Sequence, residues 1–267
     1  MEYIKRELER KFLRMSSFFK AVLVTGARQV GKTTMLRHLC EGQNRTYVTL
    51  DNMMARTLAQ TDPVLFFQTY KPPILIDEVQ LHKQPILIDE VQYAPELFVY
   101  IKIHVDKYHN AGDFWLTGSQ RYKVMKNVQE TLAGRVGVLT LYGLSQREKD
   151  GILLEDSLDF SLPCLQERQR LIQKNDVHTI FEHIWRGGMP QLVHADSYQR
   201  QEYFNSYIDT YLMRDITEAS GITDYTRFRK LLSACAAFAG EQVNYNTLAE
   251  AAGVTPPTAK AWVDVLE

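Results

Sequence analysis

The chain has 267 residues, with 31 Lys and Arg against 32 Asp and Glu and a formal charge of −1. That balance excludes a global field for holding a polyanion, although a local basic patch stays open. With 45% hydrophobic and 24% charged residues, the composition predicts an ordinary soluble globular protein of one or two domains, and no apolar run reaches the length of a membrane span.

The three cysteines, Cys40, Cys164 and Cys235, are odd in number and far apart. They suggest neither a disulfide framework nor a metal cluster. The N-terminus, Met1-Glu2-Tyr3-Ile4-Lys5-Arg6-Glu7, leads into charge rather than an apolar signal core. The expectation is a cytoplasmic protein.

Residues 2–19 mix Lys, Arg and Glu with Ile4, Leu8, Phe12 and Leu13, which predicts an amphipathic helix. Ala21-Val22-Leu23-Val24-Thr25 is a β-branched apolar run, read as a buried strand. It runs into Gly26-Ala27-Arg28-Gln29-Val30-Gly31-Lys32-Thr33, which matches G-x-x-x-x-G-K-[ST] at every defined position, and Thr34 opens a helical stretch to Cys40. Strand, glycine loop and helix are the context a phosphate-binding loop requires. The glycines let backbone N–H groups approach a phosphate, and the following helix aims its dipole there. Lys32 would reach the β- and γ-phosphates, and the Thr33 hydroxyl would ligate Mg²⁺.

A second strand is read over 45–51 and helix over 53–69, with a break at Pro63. Pro73-Ile74-Leu75-Ile76-Asp77-Glu78-Val79-Gln80 then recurs word for word, twelve residues on, as Pro85-Ile86-Leu87-Ile88-Asp89-Glu90-Val91-Gln92. Each copy is an apolar run ending in two carboxylates, which suits a strand buried on both faces of a parallel sheet. The Asp would hold Mg²⁺ and the Glu would polarise an attacking water. Only one copy can fill the central strand. The second, Asp89 with Glu90, is favoured over Asp77 with Glu78, because the surplus residues then lie at the sheet edge opposite the nucleotide.

A helix over 95–109 leads to a strand, Phe114-Trp115-Leu116-Thr117-Gly118, whose end offers Thr117 and Ser119 to sense a γ-phosphate or hold the water. A helix follows over 121–132, then Arg135 and a fifth strand from Val136 to Leu141. Arg135 is a candidate arginine finger for a neighbouring subunit, set against an ordinary surface role. Residues 145–176 are polar and read as a linker. Arg186-Gly187-Gly188-Met189-Pro190 reads as a tight turn in which Arg186 could serve a lid. A long helix is read over 198–220. Residues 245–262 have helix-turn-helix rhythm about Gly253, but the second helix shows a single cation, Lys260, so DNA reading is weakly supported. The chain stops there with no wing in view, which suggests an incomplete chain.

The stretches Leu23 to Thr34, Ile88 to Phe98, Leu116 to Ser119, Leu132 to Arg135 and Arg186 to Pro190 together resemble a prokaryotic group of AAA+ ATPases. In that group an AAA domain precedes helices, a winged-helix segment and a C-terminal domain of unknown function. The resemblance covers nearly the whole chain. It implies an α/β P-loop NTPase with a parallel sheet of order 5-1-4-3-2, a helical lid and a partial winged helix. The boundaries so implied are 1–150 for the ATPase domain, 151–235 for the lid and 236–267 for the helix-turn-helix segment. Also implied are ATP as the nucleotide, Mg²⁺ as its metal, and a possible homo-oligomer. The function expected is ATP hydrolysis driving a conformational switch. The alternatives are an ATP-regulated DNA-binding protein and a nucleotide-binding scaffold that does not hydrolyse. The duplicated strand and the absence of the last domain after residue 267 depart from the group's pattern.

Overall fold

A computed structural model describes residues 3–70, 85–108, 110–119, 121–153, 160–170, 175–212 and 222–266. The chain divides into two compact units, Met1–Ala195 and Asp196–Glu267. That division falls inside the segment read as the lid.

The first unit is built on five parallel strands: β1 (Ala21–Thr25), β2 (Thr46–Thr49), β3 (Ile86–Asp89), β4 (Phe114–Gly118) and β5 (Val136–Thr140). Their order is β2-β3-β4-β1-β5, which is 5-1-4-3-2 read from the other edge, as the resemblance implies. Register brings the carboxyl ends into one line. Thr25 pairs with Gly118 and Thr140, and Thr49 pairs with Asp89. The polar residues that end β1, β3 and β4 are therefore neighbours.

Side chains alternate between the two faces, as the pleat demands. Leu23, Ile86, Ile88, Phe114 and Leu116 point into one core with Leu97, Phe98 and Ile101. Those three lie on helix α5 (Leu97–Lys107), which covers that face together with α3 (Met53–Thr61), α4 (Pro63–Thr69) and α6 (Arg121–Thr131). Val22, Val24, Leu87 and Trp115 point the other way, toward Phe12, Met35 and Leu36. Those residues come from α1 (Leu8–Ser16) and α2 (Lys32–Cys40). Burial on both faces explains why β1 and β3 read as unbroken apolar runs.

Helix α1 is shorter than the helix read over 2–19. Its first turn is closed by Glu9, whose carboxylate accepts from the Arg6 amide at 2.6 Å and the Tyr3 hydroxyl at 2.6 Å. Residues 3–6 lie outside the helix, and Arg6 among them is buried. The polar stretch read as a linker contains α7 (Gln146–Lys149) and α8 (Leu162–Arg170). A capping box between Ser145 and Glu148 starts α7. Helix α9 (Val177–Arg186) follows, with Asp176 as its N-cap.

In the second unit, α10 (Ser197–Tyr207) continues as a π-helical turn over Ile208–Leu212. Residues 213–220 of the long helix read there lie outside the described residues. Helices Tyr225–Ala237, Tyr245–Ala252 and Pro256–Leu266 share a small core of Phe228, Leu231, Leu248 and Ala259. Gly253 ends the middle helix in the left-handed conformation, φ 70°, so the helix-turn-helix rhythm of the sequence is two helices about that glycine.

Candidate active site

The loop after β1 has an unusual backbone. Gly26 has φ +144°, Gly31 has φ +96° and Gln29 has φ 61°. A Cβ on Gly26 would stand 2.1 Å from the Leu141 carbonyl oxygen, so only glycine fits. Gly31 is the left-handed N-cap of α2, a conformation glycine adopts without steric cost. The loop therefore closes around the N-terminus of α2, whose dipole favours an anion. Lys32, 4% exposed, donates to the carbonyls of Gly26 at 3.0 Å and Ala27 at 2.8 Å.

Thr33 is the second residue of α2. Its hydroxyl donates to Asp89 Oδ1 at 2.6 Å. The Thr117 hydroxyl, fully buried at the end of β4, donates to the same oxygen at 2.5 Å. It also accepts the Glu90 backbone N–H at 3.0 Å. Thr117 thus fixes the peptide that joins the two carboxylates. The Tyr47 hydroxyl reaches Asp89 Oδ2 at 3.4 Å. Burial, and next the Asp89 charge, push the Tyr47 pKa upward.

Glu90 sits in the left-handed region, φ 56° and ψ 48°, where a non-glycine residue stores strain. Its carboxylate is held by the Ser119 hydroxyl at 2.8 Å and by the Gln92 side-chain amide. Gln92 also donates to Ser119 at 3.1 Å. Asp51 lies near this group, and its pKa is raised by burial first, then by Glu90 and Asp89.

The structure therefore brings together Lys32, Thr33, Asp89, Glu90, Thr117 and Ser119. Ala27, Arg28, Gln29, Val30 and Thr34 complete the loop and its helix. The oxygens of Thr33 and Asp89 are a hydrogen bond apart, and such a hydroxyl–carboxylate pair suits a hard divalent cation. Among the described residues no cluster of three or more His, Cys, Asp or Glu is placed to hold a metal. Asp77 and Glu78 lie outside the described residues, and the strand of the sheet is built from 86–89.

Arg135 stands at the opposite, amino end of β5, donating to Asp106 at 2.5 Å. It is not brought to the loop of its own chain. Arg186 is half exposed and pairs with Glu182, one helical turn away. The sequence reading passed over Arg6, Tyr47, Gln92 and Glu148. For Glu148 a signal existed, since Ser145-x-x-Glu148 is a capping-box spacing. For Arg6 there was none, because its partners are remote in sequence.

Residues 18–149 match a family model described as an AAA domain, and residues 177–267 match a domain of unknown function, DUF8612. Uncharacterized proteins of Mycobacterium tuberculosis (strain ATCC 25618 / H37Rv) and Mycobacterium bovis (strain ATCC BAA-935 / AF2122/97) are each 25% identical over 247 residues. The alignment takes in 92% of this chain and 47% of theirs. The chain thus spans about half the length of the curated relatives it matches. Among solved structures it is similar to a Walker-type ATPase of Pyrococcus abyssi, with TM-score 0.60, 15% identity, and coverage of 99% of this chain and 89% of that one. At that identity the likeness is one of fold. Loop, sheet order and family match agree: residues 18–149 are an AAA domain of P-loop fold, followed over 177–267 by a domain of unknown function.

Proposed function

We propose that this AAA domain binds ATP with Mg²⁺ and hydrolyses it, using the cycle to switch the conformation of the chain or of a partner. The carrying observation is the hydrogen bond between Thr33 and Asp89 at 2.6 Å, with Glu90 the next residue. It joins the phosphate-binding loop to a carboxylate pair at the carboxyl edge of the sheet. Lys32 and the N–H groups of residues 26–34 bind the triphosphate, and Thr33 with Asp89 hold the cation. When bound, Mg²⁺ supplies positive charge to the β- and γ-phosphate oxygens. Glu90 orients a water and takes its proton, and Ser119 and Gln92 position the Glu90 carboxylate until then.

ATP turnover and ADP binding test this reading. Glu90→Gln should lower turnover by about 100-fold or more while ADP still binds, since a general base contributes on that scale. Lys32→Ala should lose both, and chelation of divalent cations should stop turnover. Turnover that survives Lys32→Ala defeats the proposal, and binding without turnover in the parent selects the scaffold reading. Glu78→Gln should leave turnover intact, and the reverse pattern moves the site to the first copy of the repeat.

The helix-turn-helix of residues 245–266 supports a second reading, control of duplex DNA binding by ATP. Its second helix carries only Lys260 as a cation among the residues of Pro256–Leu266, so the phosphate contribution is small. Duplex binding that weakens steeply with salt is the outcome that favours it.

A further inference from the structure

We infer that Arg6 is a positioning residue for the phosphate-binding loop, holding the Val30–Gly31 peptide in the orientation that presents the Gly31 N–H to phosphate. This rests on the proposed nucleotide reading of the loop. Arg6 is 5% exposed and precedes α1. Its guanidinium donates in three directions: to the Val30 carbonyl at 2.8 Å, the Tyr142 carbonyl at 2.6 Å and Glu148 Oε1 at 3.1 Å. The acceptors come from the loop, the turn after β5 and the first turn of α7.

The carboxylate end of this pair is itself fixed. Glu148 accepts from the amides of Glu7 at 2.8 Å and Ser145 at 2.8 Å. Burying a charge pair is costly unless its remaining hydrogen-bonding capacity is filled, and here it is filled from both sides. Lysine could not substitute for the planar fork, since its donors radiate from one point.

The consequence for the loop follows from peptide geometry. In a trans peptide the C=O of one residue and the N–H of the next point in opposite directions. With the Val30 oxygen pinned to Arg6, the Gly31 N–H must point away from Arg6, toward the hollow of the loop. Gly31 has no side chain to resist rotation of that peptide. A flip would turn a carbonyl dipole toward an anion instead of an N–H. The guanidinium prevents the flip from outside the loop.

A second strut joins the same place. The Leu144 amide donates to the Gly188 carbonyl at 2.6 Å, and Lys149 donates to the Gly187 carbonyl at 2.6 Å. A Cβ on Gly143 would stand 2.8 Å from the Gly188 oxygen, so the two backbones touch. Pro190 is carried to 3.9 Å from where a Gly31 Cβ would be, next to the Arg6 guanidinium at 3.6 Å. The Gly187-Gly188 turn thereby backs the loop.

The test measures ADP affinity with a fluorescent analogue, turnover against ATP concentration, and thermal unfolding, on the full chain. Arg6→Ala and Arg6→Lys should each weaken ADP binding by about tenfold, the scale set by one lost charged hydrogen bond. KM should rise by more than kcat falls. Methylguanidinium should partly restore binding to folded Arg6→Ala and leave Lys32→Ala unchanged. Folded Arg6→Lys with parental ADP affinity overturns the inference, even if its unfolding temperature drops. Should Arg6→Ala not fold, Arg6→Lys carries the comparison. Parental binding by Lys32→Ala would instead remove the nucleotide reading itself.

Discussion

Thr117 makes the Asp89–Glu90 peptide a fixed object. One hydroxyl donates to the Asp89 carboxylate and accepts the amide of the next residue. Thr117→Val keeps the shape and removes both bonds in a buried place. It should cost about 1–3 kcal/mol in denaturant unfolding, the penalty for stranding buried polar groups. Turnover should fall more than ADP affinity, because Glu90 loses its anchor and not the loop. Asp51 gives a prediction with pH. Its carboxyl is raised in the folded protein, by burial and by Glu90 and Asp89. The folded state then binds the proton more tightly than the unfolded one, so stability falls as pH rises from the unfolded value through the raised one. Asp51→Asn should raise the unfolding temperature at pH 7 and change it little near pH 3. Added Mg²⁺ should narrow the gap at pH 7. An equal gain at both pH values would contradict the direction of the shift. Which of these residues can be read in advance depends on distance along the chain. The loop residues 26–33 are contiguous, so their chemistry is written in one phrase. Arg6 meets Val30, Tyr142 and Glu148 across the whole domain, and in sequence it is one more charge among Lys5, Glu7 and Glu9.

At the level of elements, α1 earns its position through Phe12 and Ser16. Phe12 is fully buried edge-on to Trp115, ring centroids 4.7 Å apart at 84°. The Trp115 indole N–H donates to Ser16 Oγ at 2.7 Å. Phe12→Ala should cost about 3–5 kcal/mol in unfolding, transfer and cavity terms together, and should leave ADP affinity of the folded protein near the parent. The strands were legible because a central parallel strand must be apolar on both faces. The start of α1 was not, since its apolar period continues through Ile4 while Glu9 draws the Arg6 amide and ends the helix there. The Arg186 turn teaches the same lesson. Its arginine pairs within α9, and it is the two following glycines that make the long-range contact. A sequence shows that glycines are present, not which backbone they let approach.

For the whole molecule, the proposed nucleotide site lies within the first unit, Met1–Ala195, and the helix-turn-helix within the second, Asp196–Glu267. If Arg135 serves a neighbouring copy, turnover per chain should climb with protein concentration, and Arg135→Ala should flatten that climb. A flat profile in the parent leaves Arg135 in its exposed pairing with Asp106. The direction of the strands bears on the repeated stretch. The residues proposed to handle phosphate lie where strands end, whereas β3 begins, at Ile86, at the other end of the sheet. Removing residues 73–84 would rejoin Pro72 to Pro85, and the sequence on either side of the join would read as before. Such a shortened chain should keep the parent's ADP affinity, since the strand Ile86–Asp89 and the carboxylates that end it are unchanged.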